Sequence, residues 1–145
     1  MIINSIQQLL RGRSLVRVAP DDTVRAACAV FEREDVGAAA VMDGHRLVGI
    51  LSERDVIRRC ICAGRPTAET RVSEVMTADP VTIPLQASLA TAQTAMIEGH
   101  FRHLPVVTSD GEVVGMLSFR DIPTEYRLMV ERYRDYRGAP DAAPA

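Results

Sequence analysis

Lysine and tryptophan are absent from the 145 residues, and aromatic side chains make up only 4% of them. All 17 basic residues are therefore arginine, which excludes a lysine Schiff base and a P-loop lysine. The scarcity of aromatics disfavours the stacking platforms on which single-stranded nucleic acids bind. A net charge of −2 supplies no electrostatic footprint for nucleic acid either. No apolar run approaches the ~18 residues of a membrane span. The opening stretch, Met1 to Gly12, lacks the basic head and long apolar core of an export signal. The expected location is the cytoplasm, with no nucleic-acid or membrane partner. Cys28, Cys60 and Cys62 are odd in number and offer one Cys-x-Cys with no second half, and His45, His100 and His103 lack metal-ligand spacing. No metal site is expected, and the thiols should be buried or half-exposed in a reducing compartment. With no Ser-His-Asp arrangement and no glycine-rich phosphate loop, no catalytic activity is expected.

What is present is a globular composition, 47% hydrophobic and 25% charged, written twice. Gly49-Ile-Leu-Ser-Glu-Arg-Asp55 returns as Gly115-Met-Leu-Ser-Phe-Arg-Asp121. Each copy follows an apolar pair and, before that, a turn at Asp43-Gly44-His45 or Ser109-Asp110-Gly111. Upstream, Val16-Arg17-Val18 aligns with Val81-Thr82-Ile83, and Ile6, Leu9 and Leu10 align in spacing with Val72, Val75 and Met76. The repeats therefore run over 6–63 and 72–137, with 64–71 as a linker broken by Gly64 and Pro66, and 138–145 as a disordered tail.

Each copy reads as β-α-β-β-α. Strands are predicted at Val16–Val18, Ala38–Met42 and Arg46–Leu51, then at Val81–Ile83, Leu104–Val107 and Glu112–Leu117. Asp21-Asp22 and Ser88 are the candidate caps of the first helices, and Gly99 is placed to stop the one in the second copy. The second helix of the first copy is predicted over Ser52 to Ile61. Pro123 falls past the first turn after Ser118, so its counterpart must start late or kink. Tyr126, Met129, Val130 and Tyr133 then recur at helical spacing, a face for the module's own core or for a second subunit. About 55 residues bury too little apolar surface for comfort, so the two copies should share a core about a pseudo-two-fold axis, with two related clefts where they meet.

Ser52-x-x-Asp55 and Ser118-x-x-Asp121 admit two readings. As capping boxes they start helices and imply no ligand. As a site, the helix N-terminus and the Ser hydroxyl suit a phosphate, Arg54 or Arg120 can reach the anion, and the carboxylate suits the two hydroxyls of a ribose. The second copy adds Arg102 and His103 just before a core strand, where the first has Gly37 and Ala38.

On these residues, together with Val36-Gly37-Ala38, Arg102 to Val107 and Val72 to Thr77, the chain resembles a tandem pair of CBS domains, a Bateman module, over residues 5 to 130. The resemblance implies an α/β (α+β) fold of two pseudo-symmetric β-α-β-β-α repeats packed sheet to sheet, with a C-terminal helix. It implies a non-catalytic sensor of adenosine nucleotides, and so of energy state. AMP is the first expectation, with ADP, ATP, NAD and S-adenosylmethionine as alternatives. Carried over, the better site combines Ser118, Arg102 and Arg120 for phosphate, Asp121 for ribose, His103, and Val16, Val36 and Ala38 for adenine. The second site uses Ser52, Arg54, Asp55, Val81, Phe101 and His103, and should hold phosphate less well for want of an Arg102 equivalent. The resemblance also implies a homodimer signalling to an unidentified protein effector. The competing reading is a ligand-independent interaction or scaffold protein, a link to redox state through its thiols being one form of it.

Overall fold

The computed structural model describes residues 3–138. A short helix α1 (Ile6–Leu10) precedes β1 (Arg17–Val18), α2 (Val24–Glu34), β2 (Ala38–Asp43) and β3 (Arg46–Ser52). One helical turn, α3 (Glu53–Asp55), widens into a π-helical stretch over Val56–Ile61. The second half repeats the order with α4 (Val72–Val75), β4 (Thr77–Ala78), β5 (Ile83–Pro84), α5 (Leu89–Gly99), β6 (His103–Val107) and β7 (Val113–Ser118). A 3-10 turn at Phe119–Asp121 leads to α6 (Thr124–Gly138).

The strands form two sheets, ordered β1-β2-β3-β4 and β5-β6-β7. In each, the first strand is parallel to the second and the second antiparallel to the third. Strand β2 explains why its sequence is apolar without alternation. Its residues from Ala38 to Met42 are all buried. Ala39 and Val41 face the first core with Val18, Val24, Ala27, Phe31 and Leu51. Ala40 and Met42 face the other sheet, meeting Val113 and the partly buried Leu15, Leu47, Val107 and Met116. A strand covered on both sides loses its polar face. The last cluster draws on both repeats and is the seam between them.

The sequence copies and the packing units are not the same. Helix α1 opens the first copy, yet Ile6 and Leu9 are buried in the second core with Ile83, Leu89, Met96, Leu104 and Leu117. Helix α4 opens the second copy, yet Val72 and Val75 are buried in the first core, and β4 pairs with β3 at Ile50↔Thr77 and Gly49↔Ala78. Each repeat lends its opening helix to the other.

Several local expectations need correction. Thr23, not Asp21 or Asp22, caps α2, its hydroxyl accepting from the Ala26 amide. Asp22 is already used: its carboxylate accepts from the Ala19 amide and closes the turn at Pro20. Ser88 does cap α5. Gly99 remains helical, and the left-handed residue that ends α5 is His100, at φ 56°. Gly99 has another use, since a Cβ there would lie 1.9 Å from the Phe101 ring. Strand β5 starts two residues after Val81, which is 56% exposed. The proline problem is resolved by a late start. Ile122 is extended, and the Pro123 carbonyl accepts from the Tyr126 and Arg127 amides at the head of α6. On α6, Tyr126 packs against the second core, whereas Leu128, Met129 and Tyr133 are exposed. Gly138, where the tail was expected to start, is the last residue of α6; the rest of that expectation, 139–145, lies outside the described residues.

Candidate functional site

Both Ser-x-x-Asp motifs form true capping boxes. In the second, the Ser118 hydroxyl accepts from the Arg120 amide at 3.4 Å, and Asp121 Oδ2 accepts from the Ser118 amide at 2.7 Å. In the first, the Ser52 hydroxyl accepts from the Asp55 amide and Asp55 Oδ2 from the Ser52 amide, both at 3.1 Å. The bland reading of the motif is thus correct as far as it goes. It accounts for one oxygen of each carboxylate.

The other oxygen reaches a segment of the other sequence repeat. Asp121 Oδ1 pairs with the Arg13 guanidinium at 3.0 Å, from the segment between α1 and β1. Asp55 Oδ1 lies 3.4 Å from the Thr77 hydroxyl on β4, and 3.8 Å from Nε of Arg59 in its own helix. The two arrangements differ because the repeats do. Thr77 is fixed by β4 pairing on β3. Its counterparts after α1 make a turn instead, with Gly12 at φ 76° and the Arg13 amide donating to the Leu10 carbonyl. A positive φ is freely available only to glycine, and this turn carries Arg13 to Asp121.

The expected second-repeat residues lie at or beside the start of β6 and the end of β7. His103 stands opposite Ser118 in the β6–β7 ladder. The Arg102 carbonyl accepts from the Phe119 amide at 2.7 Å, and its guanidinium lies 4.7 Å from the Phe119 ring centroid, a cation–π distance. Arg127 approaches the same ring at 5.7 Å. Arg120 is exposed. His103 titrates below the ordinary imidazole range, first because it is buried and next because Arg102 is near; Asp121 and Glu53 oppose the shift, and Arg120 adds to it.

The first-repeat residues connect through Gly37. A Cβ placed there would lie 2.9 Å from Glu53 Oε1 and 3.9 Å from His103 Nε2. The carbonyl of the same position accepts from the Glu53 amide, as that of Arg102 accepts from Phe119. Val36 and Ala38 flank it. Ala38 is buried and stands opposite Ser52, and Val36 and Val16 pack against the first core. The Val16 carbonyl accepts from the Ala40 amide just ahead of β1. Of the second set, Ser52 and Asp55 come together, Arg54 and Val81 are exposed, and Phe101 packs back into the second core. An open cavity of about 290 Å³ lies elsewhere, lined by Gln7, Leu10, Arg11, Leu85 and Val114, and takes in none of the motif residues.

Sequence reasoning missed Arg13, Thr77, Glu53 and Arg59. The first two had a signal. Once Ile6 aligns with Val72, the end of the opener, Thr77, falls opposite Arg11, two residues from Arg13. The thiols are also corrected in part: Cys60 is buried and Cys28 half-buried, but Cys62 is exposed. Burial, and then the neighbouring Cys60, pushes the Cys28 thiol up. Among the described residues no cluster of three His, Cys, Asp or Glu could hold a metal, and no helix is long and apolar enough to cross a membrane.

Comparison with known proteins agrees with the fold. The chain is 32% identical over 120 residues to the mitochondrial CBS domain-containing protein CBSX3 of Arabidopsis thaliana, covering 79% of this chain and 56% of that one. It spans 19% to 56% of the length of the first curated relatives it matches. Among solved structures, the CBS domain NE2398 superposes with a TM-score of 0.77 at 34% identity, covering 83% of this chain and 95% of that one. The CBS domain protein PAE2072 from Pyrobaculum aerophilum, solved complexed with AMP, gives 0.78 at 25% identity, covering 88% and 98%. The CBS domain family model matches twice, over residues 10–61 and 72–125, and the chain accordingly belongs to the CBS-domain family as a tandem pair.

Proposed function

We propose that this CBS pair takes an adenosine nucleotide at the seam between its repeats, without catalysis, and passes the occupancy to a partner protein. One observation carries the reading. Each motif aspartate gives one oxygen to its own cap and turns the other to a side chain lent by the other repeat. A ligand that engages that second oxygen therefore touches segments of both sequence repeats, and its binding can shift the balance between two arrangements of the pair. Asp121 is the candidate ribose acceptor, with Ser118, Arg102 and Arg120 on the phosphate side and Val16, Val36 and Ala38 toward the base. AMP is the first choice of ligand, supported by its presence in the PAE2072 complex. The Asp55 side, which has Gly37 where the other repeat has Arg102, is the weaker site. Two exposed apolar pairs, Ile57 with Ile61 and Leu128 with Met129, lie on the corresponding helices of the two repeats, and support a homodimer in a cytoplasmic protein.

The test is a thermal-shift panel with AMP, ADP, ATP, NAD and S-adenosylmethionine on the purified chain. A ligand at 100 times its dissociation constant should stabilise by about 2.7 kcal/mol. Asp121→Asn, which keeps an acceptor for the Ser118 amide, should abolish most of the shift, and Asp55→Asn less of it. No shift from any of the five at millimolar concentration would favour the second reading, a ligand-independent scaffold. That reading draws on both carboxylates being engaged within the chain already. A redox link would then fall to the exposed Cys62, since Cys28 is held protonated and Cys60 is buried.

A further inference from the structure

We infer that Arg13 is a self-ligand of the Asp121 cleft, and that it makes this cleft select phosphate-bearing nucleotides over uncharged nucleosides. The inference rests on Asp121 being the ribose acceptor. Oδ2 of Asp121 is committed to the Ser118 amide, so Oδ1 is the oxygen open to an incoming hydroxyl, and Arg13 holds it at 3.0 Å. Asp121 is mostly shielded, with its side chain 16% exposed, whereas Arg13 is 49% exposed and sits on a segment outside any helix or strand. The cation can therefore leave while the carboxylate stays.

What replaces it decides the balance. A neutral nucleoside offers hydroxyls to Oδ1 but gives the displaced guanidinium only water. A nucleoside phosphate brings an anion with it, and a guanidinium pairs with phosphate in two parallel hydrogen bonds. Arg13 thus opposes both ligands at the ribose and favours only one at the phosphate. Arg102, just ahead of β6, and Arg120, within the motif itself, are further cations that would add to the preference. The Asp55 cleft is an internal contrast. Its crossing partner is the neutral Thr77, and the nearby Arg59 is anchored to the Met76 carbonyl at 2.9 Å. No cation lent by the other repeat has to move there.

The experiment is titration calorimetry of the full chain with adenosine, AMP and ATP, in an Asp55→Asn background so that the Asp121 cleft is read. Arg13→Ala is expected to tighten adenosine and weaken AMP and ATP, lowering the ratio of AMP to adenosine affinity threefold or more, with ATP showing the larger loss. Arg13→Gln should fall between wild type and Arg13→Ala, and it carries the comparison if the alanine variant fails to unfold cooperatively. A ratio that changes by less than threefold while AMP still binds overturns the role of Arg13 and leaves the nucleotide reading intact. Absence of binding by all three ligands to the chain with Arg13 present overturns both.

Discussion

His103 shows how a single position reports on the seam. It belongs to the second repeat, yet it lies beside Gly37 of the first, and the charges of Glu53 and Asp121 both act on it. Burial first, and Arg102 second, hold its imidazole below the ordinary range. The folded chain then binds fewer protons than the unfolded one between that lowered value and the unfolded value of about 6.5. Stability must rise with pH across that window, because the unfolded state takes up the proton more readily. The neutral form's contribution is complete above pH 6.5 and is lost as pH falls below it. Urea denaturation at pH 8, 6.5 and 5.5 should show this decline, and His103→Gln should flatten it. An equal decline in the variant would mean that other groups carry the pH dependence. Neither Gly37 nor Glu53 was legible as a neighbour of His103, since 66 residues separate Gly37 from it in the chain.

Among elements, the glycine that opens each repeated motif marks where a borrowed helix crosses a strand. Gly49 on β3 faces the end of α4: a Cβ there would lie 2.6 Å from Met76 Sδ and 2.8 Å from the Thr77 carbonyl oxygen. Gly115 on β7 faces the end of α1, with its nearest neighbours the Leu10 methyls at 2.8 and 3.0 Å. A side chain can turn aside, but a carbonyl held in the β3–β4 ladder cannot. Gly49→Ala is therefore expected to destabilise by about 1–3 kcal/mol, the usual range for overpacking, and Gly115→Ala by less. Chemical denaturation of the two variants gives the comparison, and the reverse order would refute the crossing argument. The sequence displayed both glycines as a repeat but not their purpose, because Met76 and Leu10 are distant from them in the chain. Caps were legible where one candidate stood alone, as at Ser52, Ser88 and Ser118. At Asp21-Asp22-Thr23 three candidates compete, and the turn at Pro20 decides by taking Asp22.

For the molecule as a whole, the exchange of opening helices makes the halves dependent on one another. Residues 1–64 alone would lack Val72 and Val75 from their core, and residues 65–145 would lack Ile6 and Leu9. Each fully buried aliphatic side chain is worth about 1.5–3 kcal/mol, and a half of about 60 residues has little margin. Expressed separately, neither fragment is expected to unfold cooperatively as a monomer. Mixed at equal concentration, the two should recover a single transition, seen by circular dichroism. A fragment that melts cooperatively by itself as a monomer would contradict the exchange. The same exchange brings Arg13 and Thr77 to the opposite repeat's aspartate, so the packing that stabilises the module also completes its two candidate sites.

The sequence by itself determined the duplication, the β-α-β-β-α order and the motif aspartates, because those are carried by local spacing, apolar runs and caps within a few residues. Which repeat each opening helix covers, and which side chain meets the free oxygen of Asp121, was decided only by tertiary structure. The physical reason is that α1 and α4 are equally apolar on the face they bury, and either core could accept either helix until the connecting segments fix the choice. The turn at Gly12 and the strand at Thr77 make that choice differently, and of the partners lent by the other repeat this sets a charged one on Asp121 and a neutral one on Asp55.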